Sequence, residues 1–449
     1  MIGQVCERNS NRYEVGGMRD FQFLIPHPLY LIPKIMLRWI LVSTLMLAGQ
    51  AVIWANTYQV CKSCPVSSVK MAIQMAMPCD TVFVEAGIYK EGNILIYKEL
   101  TMIGRGKPVL DGEGKTEIIT ITANHVHFEG FVLRNVGISY SEDRAGIRLK
   151  EVSDFYVKEN RVENAFFGIY LQKSKNGTVE GNEVVGEAKD EVSGGNAIHL
   201  WYCDNVQIIN NLTRGHRDGI YLEFVNFSIV QGNYSERNVR YGLHFMFSND
   251  DVYRANTFHD NGAGVAVMYS KRIGMFSNHF EENWGQAAYG LLLKEIHDGQ
   301  IEGNTFQENT VGIFAETSNR IVYTKNQFIQ NGWALKISGG CQTNNLTHND
   351  FIGNSFDVAV QTAGSDNKFD GNFWSDYAGY DLDKNGIGDV PYRPMKLFSY
   401  VVSKTPESLV LLRSLFVDIL NFSEKVSPIF TPENVVDNAP LLKTFTIYE

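Results

Sequence analysis

From residue 79 to residue 374 the chain repeats a short pattern, in which apolar and polar positions alternate for a few residues and then meet a polar corner. An asparagine that follows such an alternating run recurs at intervals of 22, 29, 22, 23, 22, 26, 22, 23 and 23 residues. These asparagines are Asn160, Asn182, Asn211, Asn233, Asn256, Asn278, Asn304, Asn326, Asn349 and Asn372. Alternation with a period of two indicates β-strands. Each repeat therefore predicts two or three short strands separated by corners.

A glycine opens one strand of most repeats, as in Gly168-Ile-Tyr-Leu, Gly219-Ile-Tyr-Leu and Gly242-Leu-His-Phe. A repeat of this size cannot bury an apolar core alone, so successive repeats must stack, with equivalent strands pairing about 4.8 Å apart. The predicted fold class is all-β, a right-handed parallel β-helix. We expect the corner Asn and Gly residues to adopt left-handed backbone conformations, and the stacked asparagines to form side-chain ladders.

Proline is absent from the 282 residues between Pro108 and Pro391, although the chain contains 12 prolines. A proline would remove a hydrogen bond from strands that are paired on both sides, so this gap marks the β-helix, which we assign to residues 111–394. Residues 56–110 are predicted to form an N-terminal cap and first coil, with an amphipathic helix over 66–77 and a ladder that begins at Cys79. The longer intervals predict loops at 187–195 and 284–289 on one rim.

Residues 1–55 read as an upstream extension followed by a signal peptide, with Met36 as the expected start. Lys34 and Arg38 precede a short apolar run over 39–48, and small residues at 51–55 provide cleavage sites. The run is short for a membrane span, although an N-terminal membrane anchor remains the alternative. Either way, the rest of the chain is expected to be exported.

Composition narrows the function classes. The formal net charge is −10 and the pI is about 5.6, which argues against nucleic-acid binding. In an oxidising compartment, a disulfide is expected among Cys61, Cys64 and Cys79. The Cys61-x-x-Cys64 pattern is also compatible with a redox or metal pair.

Alignment of the glycine-led strands gives two columns that should face outward, opposite the apolar core. The first column reads Tyr170, His199, Tyr221, His244, Ala266 and Leu292, and the second reads Gln172, Trp201, Glu223, Met246, Met268 and Lys294. An exposed stripe of aromatic, His and Met residues is typical of a surface that binds a partner protein. Docking of a partner is therefore the first interpretation, and absence of any function is the plainest one.

Direct contact with copper is a further interpretation of the same stripe, because imidazole and thioether groups suit copper, and thioethers suit Cu(I) in particular. His244, Met246 and Met268 are predicted to converge on one ion. His199 lies two coils away, roughly 10 Å, which is too far for it to share that ion.

Two polar groups lie outside these columns. Arg217, Asp218 and Arg240 precede the strands at one corner and are expected to form ion pairs between coils. Asp381, Asp383, Asn385 and Asp389 have the spacing of a calcium-binding loop, although Tyr392 stands where such a loop places Glu. The alternative is a tight loop, held by side-chain turns, that caps the last coil.

The C-terminal residues 395–449 are predicted to form a helical arm. Thr405 and Pro406 provide a helix start, and nine of the twelve residues over 409–420 are apolar. Such a helix is too apolar for solvent and too short to span a bilayer. It should dock on its own β-helix, on a membrane surface or on a membrane subunit.

An enzyme on the same fold is the competing function class, as a polysaccharide lyase, hydrolase or epimerase. Glycoside hydrolysis needs two carboxylates about 5–10 Å apart. The outward columns offer only Glu223 with Asp218, so we favour a function without catalysis.

At its start, around Asp80-Thr-Val-Phe-Val and Gly87-Ile-Tyr, the repeat array resembles the carbohydrate-binding and sugar-hydrolase superfamily. The central segments Asn196-Ala-Ile-His-Leu-Trp, Arg217-Asp-Gly-Ile-Tyr and Arg240-Tyr-Gly-Leu-His-Phe-Met-Phe-Ser resemble the NosD family. The resemblance runs from about residue 67 to residue 392, and Cys79 stands where that family usually has Gly.

The resemblance implies a periplasmic accessory protein that is not an enzyme. It implies docking on the membrane subunit of an ABC transporter with its ATPase. It also implies that the protein acts with a copper chaperone to assemble the copper centre of nitrous-oxide reductase.

Overall fold

Each sequence repeat folds into one coil that contributes a short strand to each of three parallel sheets. The structure, a computed structural model, describes residues 55–139, 142–285, 288–360, 366–426 and 435–445. Every strand pairs in parallel with the equivalent strand of the coils before and after it, as in Tyr170 opposite His199 and Tyr221 opposite His244. The predicted right-handed parallel β-helix is therefore confirmed.

The strand bounds follow the repeat throughout the described residues. Sheet A contains Thr57–Val60, Asp80–Glu85, Leu100–Arg105, His127–Glu129, Tyr156–Lys158, Thr178–Glu180, Gln207–Ile209, Ile229–Gln231, Val252–Arg254, Gly274–Phe276, Gln300–Glu302, Val322–Thr324, Asn345–Thr347 and Lys368–Asp370. Sheet B contains Ile88–Tyr89, Val109–Asp111, Val132–Arg134, Arg161–Glu163, Glu183–Val185, Leu212–Arg214, Tyr234–Glu236, Thr257–His259, His279–Glu281, Thr305–Gln307, Gln327–Ile329, Asp350–Ile352 and Phe373–Trp374. Sheet C contains Ile94–Ile96, Ile119–Ile121, Ala145–Lys150, Phe167–Gln172, Asn196–Trp201, Asp218–Glu223, Tyr241–Met246, Ala263–Met268, Leu291–Lys294, Val311–Glu316, Trp333–Ser338 and Phe356–Val360.

The periodic asparagines form a buried ladder along the solenoid. Asn160 Nδ2 donates to Asn182 Oδ1 at 3.1 Å, and the same bond recurs from coil to coil as far as Asn372. The prediction that these asparagines adopt left-handed conformations is wrong, because the residue before each one has the positive φ, for example Gly181 at 62° and Asn210 at 53°. Asparagine is needed at these positions because each amide group is both a donor and an acceptor.

The glycines that open the strands of sheet C have a different role from the predicted one. They do not adopt a positive φ. A Cβ atom on Gly242 would lie 2.7 Å from the carbonyl oxygen of Gly264, and one on Gly264 would lie 2.4 Å from that of Gly290. These glycines are therefore required by the close approach of successive coils.

The N-terminal end is closed by helix α1, Val69–Met75, which is shorter than the predicted helix over 66–77. The Glu91 carboxylate accepts the backbone N–H groups of Val69 and Lys70, and Lys98 Nζ donates to three carbonyl groups at the other end of α1. Opposite charges at the two ends of a helix stabilise it. The ladder begins one strand earlier than predicted, since Thr57–Val60 pairs with Asp80–Glu85.

The C-terminal residues form helix α2, Leu397–Lys404, a 3-10 helix, Pro406–Leu411, and helix α3, Leu415–Val426. We call residues 397–426 the arm. The single helix predicted to start at Thr405 is therefore split, and α2 precedes it. Beyond the arm, the chain returns to the solenoid, where Asp437 and Leu441 form bridges to the last strands of sheets A and B.

Residues 1–55 were predicted to form the extension and signal peptide, and all but Ala55 lie outside the described residues. From Thr57 onward the chain is one compact unit. Among the described residues, no helix is long and apolar enough to cross a membrane.

Candidate functional site

The two predicted columns lie side by side on the outer face of sheet C. Parallel pairing aligns Tyr170, His199, Tyr221 and His244, and it aligns Trp201, Glu223, Met246 and Met268 next to them. The intervening Ile, Leu and Val residues of the same strands point into the core.

We call Tyr170, His199, Tyr221 and His244 the ring stack. Consecutive ring centroids are 4.6, 4.8 and 4.7 Å apart, and the Arg148 guanidinium lies 5.0 Å from the Tyr170 ring centroid. The expectation that these residues form an exposed stripe is wrong, because His199 is only 7% exposed and His244 only 4%. Stacking removes the flat faces of the rings from solvent, so the rings bury one another.

The two histidines of the ring stack are neutral. Burial lowers the pKa of His199 to about 3 and that of His244 to about 4. Arg217 also lowers both pKa values, whereas Asp218 opposes the shift at His244. Neither ring nitrogen of either histidine has a hydrogen-bond partner among the described residues. His199 Nε2 lies 3.9 Å from a Glu223 carboxylate oxygen, and His244 Nδ1 lies 4.0 Å from an Asp218 oxygen. Buried polar atoms normally have partners, so these nitrogens are exceptions in this structure. In each neutral ring, only the nitrogen without a hydrogen could act as a ligand.

The second column is half-buried and more accessible. Trp201, Glu223, Met246 and Met268 are all partly exposed. Tyr221 Oη lies 3.5 Å from Met246 Sδ, so the thioether lies beside the ring stack. Burial raises the pKa of Glu223, which indicates that this carboxylate lacks a compensating cation.

The corner residues form the ion pairs that we expected between coils. Arg240 Nε donates to Asp218 Oδ1 at 2.9 Å, and Arg240 Nη2 bonds the other oxygen. Arg217 lies 3.6 Å from the same carboxylate and donates to Asn196 Oδ1 at 3.0 Å. Asp218 is fully buried. It is thus committed to structure and cannot act with Glu223 as a hydrolytic carboxylate pair.

The residues of this face have the chemistry to contact copper. Neutral imidazoles with unpartnered nitrogens and adjacent thioethers are ligands that Cu(I) accepts. Met246 contacts Tyr221, and His244 faces Asp218. Convergence of His244, Met246 and Met268 on one ion stays a prediction. Among the described residues, no three His, Cys, Asp or Glu side chains converge on one point.

The arm covers the later coils of the same face. Phe398 and Val402 of α2 and Val417 of α3 pack on Trp333 and Phe356 of sheet C. The other side of the arm exposes a row of apolar residues: Leu409, Val410, Leu411, Leu415, Phe416, Ile419 and Phe422. The arm thus packs on its own solenoid and still presents an unusually apolar surface.

The calcium-like loop is held together by its own backbone. Asp381 accepts the N–H groups of Asn385 and Gly386, and Asp389 accepts that of Leu382. The backbone N–H of Gly386 lowers the pKa of Asp381. These carboxylates act as turn-forming acceptors, and binding of calcium by this loop stays a prediction.

Cys61 and Cys64 form a disulfide in the connection between the first strand and α1. Cys79 is not part of it, and its thiol donates to Glu99 at 3.3 Å.

A set of residues that the sequence predictions missed follows directly after the second column. Tyr202, Phe224, Phe247 and Tyr269, which we call the aromatic ladder, stack with centroids 4.6, 5.2 and 5.2 Å apart. The signal was present in the sequence, because an aromatic residue occupies the same repeat position in four successive coils.

Solved structures show the same fold. The alginate lyase AlyF-OU02 is 12% identical, with a TM-score of 0.51 over 71% of this chain and 84% of the lyase chain. The Dettilon tailspike protein is 11% identical, with a TM-score of 0.52 over 65% of this chain and 64% of the tailspike chain. At such identities the likeness concerns fold alone.

Curated relatives are more similar in sequence. Two proteins described as "Probable ABC transporter binding protein NosD" match this chain. The protein from Pseudomonas aeruginosa is 29% identical over 381 residues, which cover 80% of this chain and 87% of the relative. The protein from Stutzerimonas stutzeri is 27% identical over 375 residues, which cover 80% and 86%.

The NosD family, described as "Periplasmic copper-binding protein (NosD)", matches residues 73–194 and 188–379. These ranges span most of the solenoid, including the ring stack and both outward columns. The resemblance seen in the sequence is therefore confirmed, and the chain belongs to the NosD family of periplasmic copper-binding proteins.

Proposed function

We propose that this protein is an exported accessory protein that docks on an ABC transporter and assists assembly of the copper centre of nitrous-oxide reductase. It acts in the periplasm after cleavage of its signal peptide near residues 51–55, and it catalyses no reaction itself. Its partners are the transporter membrane subunit with its ATPase, a copper chaperone and the reductase. Copper is its cargo.

The outer face of sheet C carries this proposal. Two buried, neutral histidines keep unpartnered nitrogens beside a partly exposed methionine, Met246. Such a set binds Cu(I) weakly enough for onward transfer, because it lacks the three or four convergent ligands of a resident site. The description of the family as copper-binding supports the same cargo.

The arm is proposed to hold the protein on the membrane subunit. Its exposed apolar row is what a complementary apolar surface would cover, and the printed names of both relatives refer to ABC transporter binding.

Point substitutions test the docking role better than truncation does, because removal of the whole tail would also remove Asp437 from the end of the solenoid. Phe416→Asp combined with Phe422→Asp changes two residues that are 59% and 68% exposed. We expect this variant to fold but to lose co-purification with the transporter. The matched control is Ile138→Asp combined with Val192→Asp, which changes two exposed apolar residues on loops. Retained co-purification of the arm variant would contradict the docking role.

The copper role is tested with Met246→Leu combined with Met268→Leu, which conserves volume and removes the thioethers. We expect at least a tenfold loss of Cu(I) affinity, measured by competition with a chromophoric chelator, and poor copper loading of the reductase. Met71→Leu combined with Met75→Leu is the control, because these methionines are about half exposed on α1. Equal Cu(I) affinity in both double variants would rule out the thioethers as ligands.

A further inference from the structure

The aromatic ladder is unusual in its residue types, because its backbone is the one that every coil has at this corner. Tyr202, Phe224, Phe247 and Tyr269 have φ values of 52°, 53°, 52° and 53°. This left-handed region disfavours bulky side chains and suits Asn and Gly. Elsewhere along this corner, the same repeat position holds Glu151, Lys173, Glu295, Thr317 and Gly339. The distinctive feature of this corner is therefore an aromatic residue in each of four successive coils, at a position where bulky side chains are disfavoured.

The ladder is open to solvent and adjoins the thioethers. Tyr202 and Phe247 are 48% and 39% exposed, and Phe224 and Tyr269 are partly exposed. Along the chain, each residue of the aromatic ladder directly follows a residue of the second column. Met246 and Met268 are therefore the neighbours of Phe247 and Tyr269. Aromatic residues and methionine are the residue types enriched where proteins bind one another.

The stacking geometry restricts what can bind. Interplanar angles of 16°, 9° and 18° show that the ladder rings cover one another's faces. The faces between neighbouring rings are covered, so a sugar or a base cannot stack within the ladder as it would on a free ring face. A row of ring edges about 15 Å long suits the apolar surface of a folded protein.

The single negative charge of this region indicates what the partner must carry. Glu223 is the one charged residue among the second-column and ladder residues of these four coils. A partner that covered the region would bury this carboxylate, which is costly unless a cation comes with the partner. Met246 is the register partner of Glu223, and thioethers favour a soft monovalent cation over a hard one.

We infer that the aromatic ladder is the docking surface for a folded, Cu(I)-carrying protein, which places its metal opposite Glu223 and Met246. This inference rests on the proposed function, and it assigns to that partner a surface separate from the arm. The contact requires no redox change, because copper stays Cu(I) on both proteins.

The left-handed backbone provides a sharp test. Phe224→Asn combined with Phe247→Asn removes two ring edges and places a residue that tolerates positive φ. This variant should therefore still fold, because the relief of backbone strain offsets part of the lost ring stacking. Phe227→Asn is the matched control, since Phe227 has φ 55° and is 64% exposed, but it lies outside the ladder.

Binding is measured with the full chain held on its transporter, and the purified copper chaperone loaded with Cu(I) is the probe. We expect at least a tenfold weaker affinity for the ladder variant and wild-type affinity for Phe227→Asn. Co-purification with the transporter should be unchanged in both variants, which separates this inference from the docking role of the arm.

Three results would overturn the inference. One is a failure of the wild-type protein to bind the probe while it remains on the transporter. Another is a ladder variant that binds the probe normally. The third is a wild-type protein that is retained on a uronate polymer through Phe224 and Phe247, which would assign the ladder to a polysaccharide.

Discussion

The outer face of sheet C is covered in two different ways at different coils of the solenoid. Over the coils of Tyr170 to His244, aromatic and imidazole rings stack on one another and need no other element to bury them. Over the coils of Trp333 and Phe356, the arm covers the face. We call these the ring half and the arm half.

The ring half is a rigid surface of the β-helix itself, whereas the arm half is covered by helices that pack on it. The ring half is built from the β-helix strands, so its geometry is fixed by the ladder hydrogen bonds of each coil. The arm half depends on α2 and α3, which are attached mainly through apolar contacts. Ligand chemistry benefits from rigid support, and a docking element benefits from an accessible apolar surface. The two halves therefore match the two proposed roles.

The largest expected effect concerns the segment that follows the arm. Asp437 accepts hydrogen bonds from Gly371 N, from Asn372 N and Nδ2, and from Trp374 Nε1, at 2.9 to 3.1 Å. Asp437→Ala leaves these donors unsatisfied and should lower the free energy of unfolding by about 4 kcal/mol. Chemical denaturation measures this loss. A change below about 1 kcal/mol would show that the end of the solenoid does not need this cap.

The matched substitution within the row of stacked, buried asparagines is Asn256→Asp. Asn256 Nδ2 donates to Asn278 Oδ1 at 2.9 Å, so a carboxylate there would face another acceptor. We expect Asn256→Asp to destabilise the protein, although an aspartate, Asp437, is the natural residue that follows Asn372 at the end of the row.

The ring half should lose stability in acid. The pKa values of His199 and His244 are lowered to about 3 and about 4 in the folded protein, whereas an exposed histidine titrates near 6.5. Below pH 6.5 the unfolded chain binds protons that the folded chain does not, so stability falls as pH falls toward 4. The loss should be about 2 kcal/mol for each histidine at pH 5.

His199→Phe combined with His244→Phe keeps the rings and removes both titrations. We expect the melting temperature of this variant to vary less between pH 7 and pH 5 than that of the wild type. His216 is also buried, and its pKa is lowered to about 4. The melting temperature of the variant should therefore still depend on pH to a smaller extent. If the melting temperatures of variant and wild type depended equally on pH, water would reach the two histidines and their pKa values would not be lowered.

The arm half should show the opposite pH dependence. Asp357 lies on the last strand of sheet C, and its pKa is raised to about 7, chiefly by burial. Lys396 opposes that shift, Asp376 adds to it, and Asn354 Nδ2 donates to the carboxylate at 3.3 Å. The unfolded chain releases this proton near pH 4 and the folded chain near pH 7, so stability falls as pH rises between them.

Asp357→Asn removes this titration and should raise the free energy of unfolding at pH 7 by about 4 kcal/mol. The gain should disappear at pH 4, where the native carboxyl is protonated. Thermal melts of both proteins at the two pH values provide the measurement. A gain of equal size at pH 4 would assign the effect to packing instead.

The repeat period predicted the solenoid because strand pairing and core burial are local properties that recur in every coil. The same reasoning aligned His199 with Tyr221 and His244, and the pairing register agrees. Alternation distinguishes inside from outside, but it does not show how much an outward residue is covered. It therefore left His199 and His244 on an exposed stripe.

Other features depend on contacts between distant residues. Asp437 lies 65 residues beyond Asn372, outside the repeat, and no spacing rule connects the two. The aromatic ladder was readable in the sequence, but its left-handed backbone favours Asn or Gly in any propensity argument, which hid Phe224 and Phe247 as surface residues.

The smallest expected effect tests whether the two halves share one core. Tyr253 lies in the core among the coils of the ring half and Tyr323 among those of the arm half, and both are buried with hydroxyls that have no hydrogen-bond partner among the described residues. Removal of an unsatisfied buried hydroxyl stabilises a protein, so Tyr253→Phe and Tyr323→Phe should each raise the free energy of unfolding by about 1 kcal/mol. Equal gains, measured by urea denaturation, would show that the halves differ only on their outer face. Destabilisation by one substitution would place a buried water beside that hydroxyl, because losing such a bond costs stability.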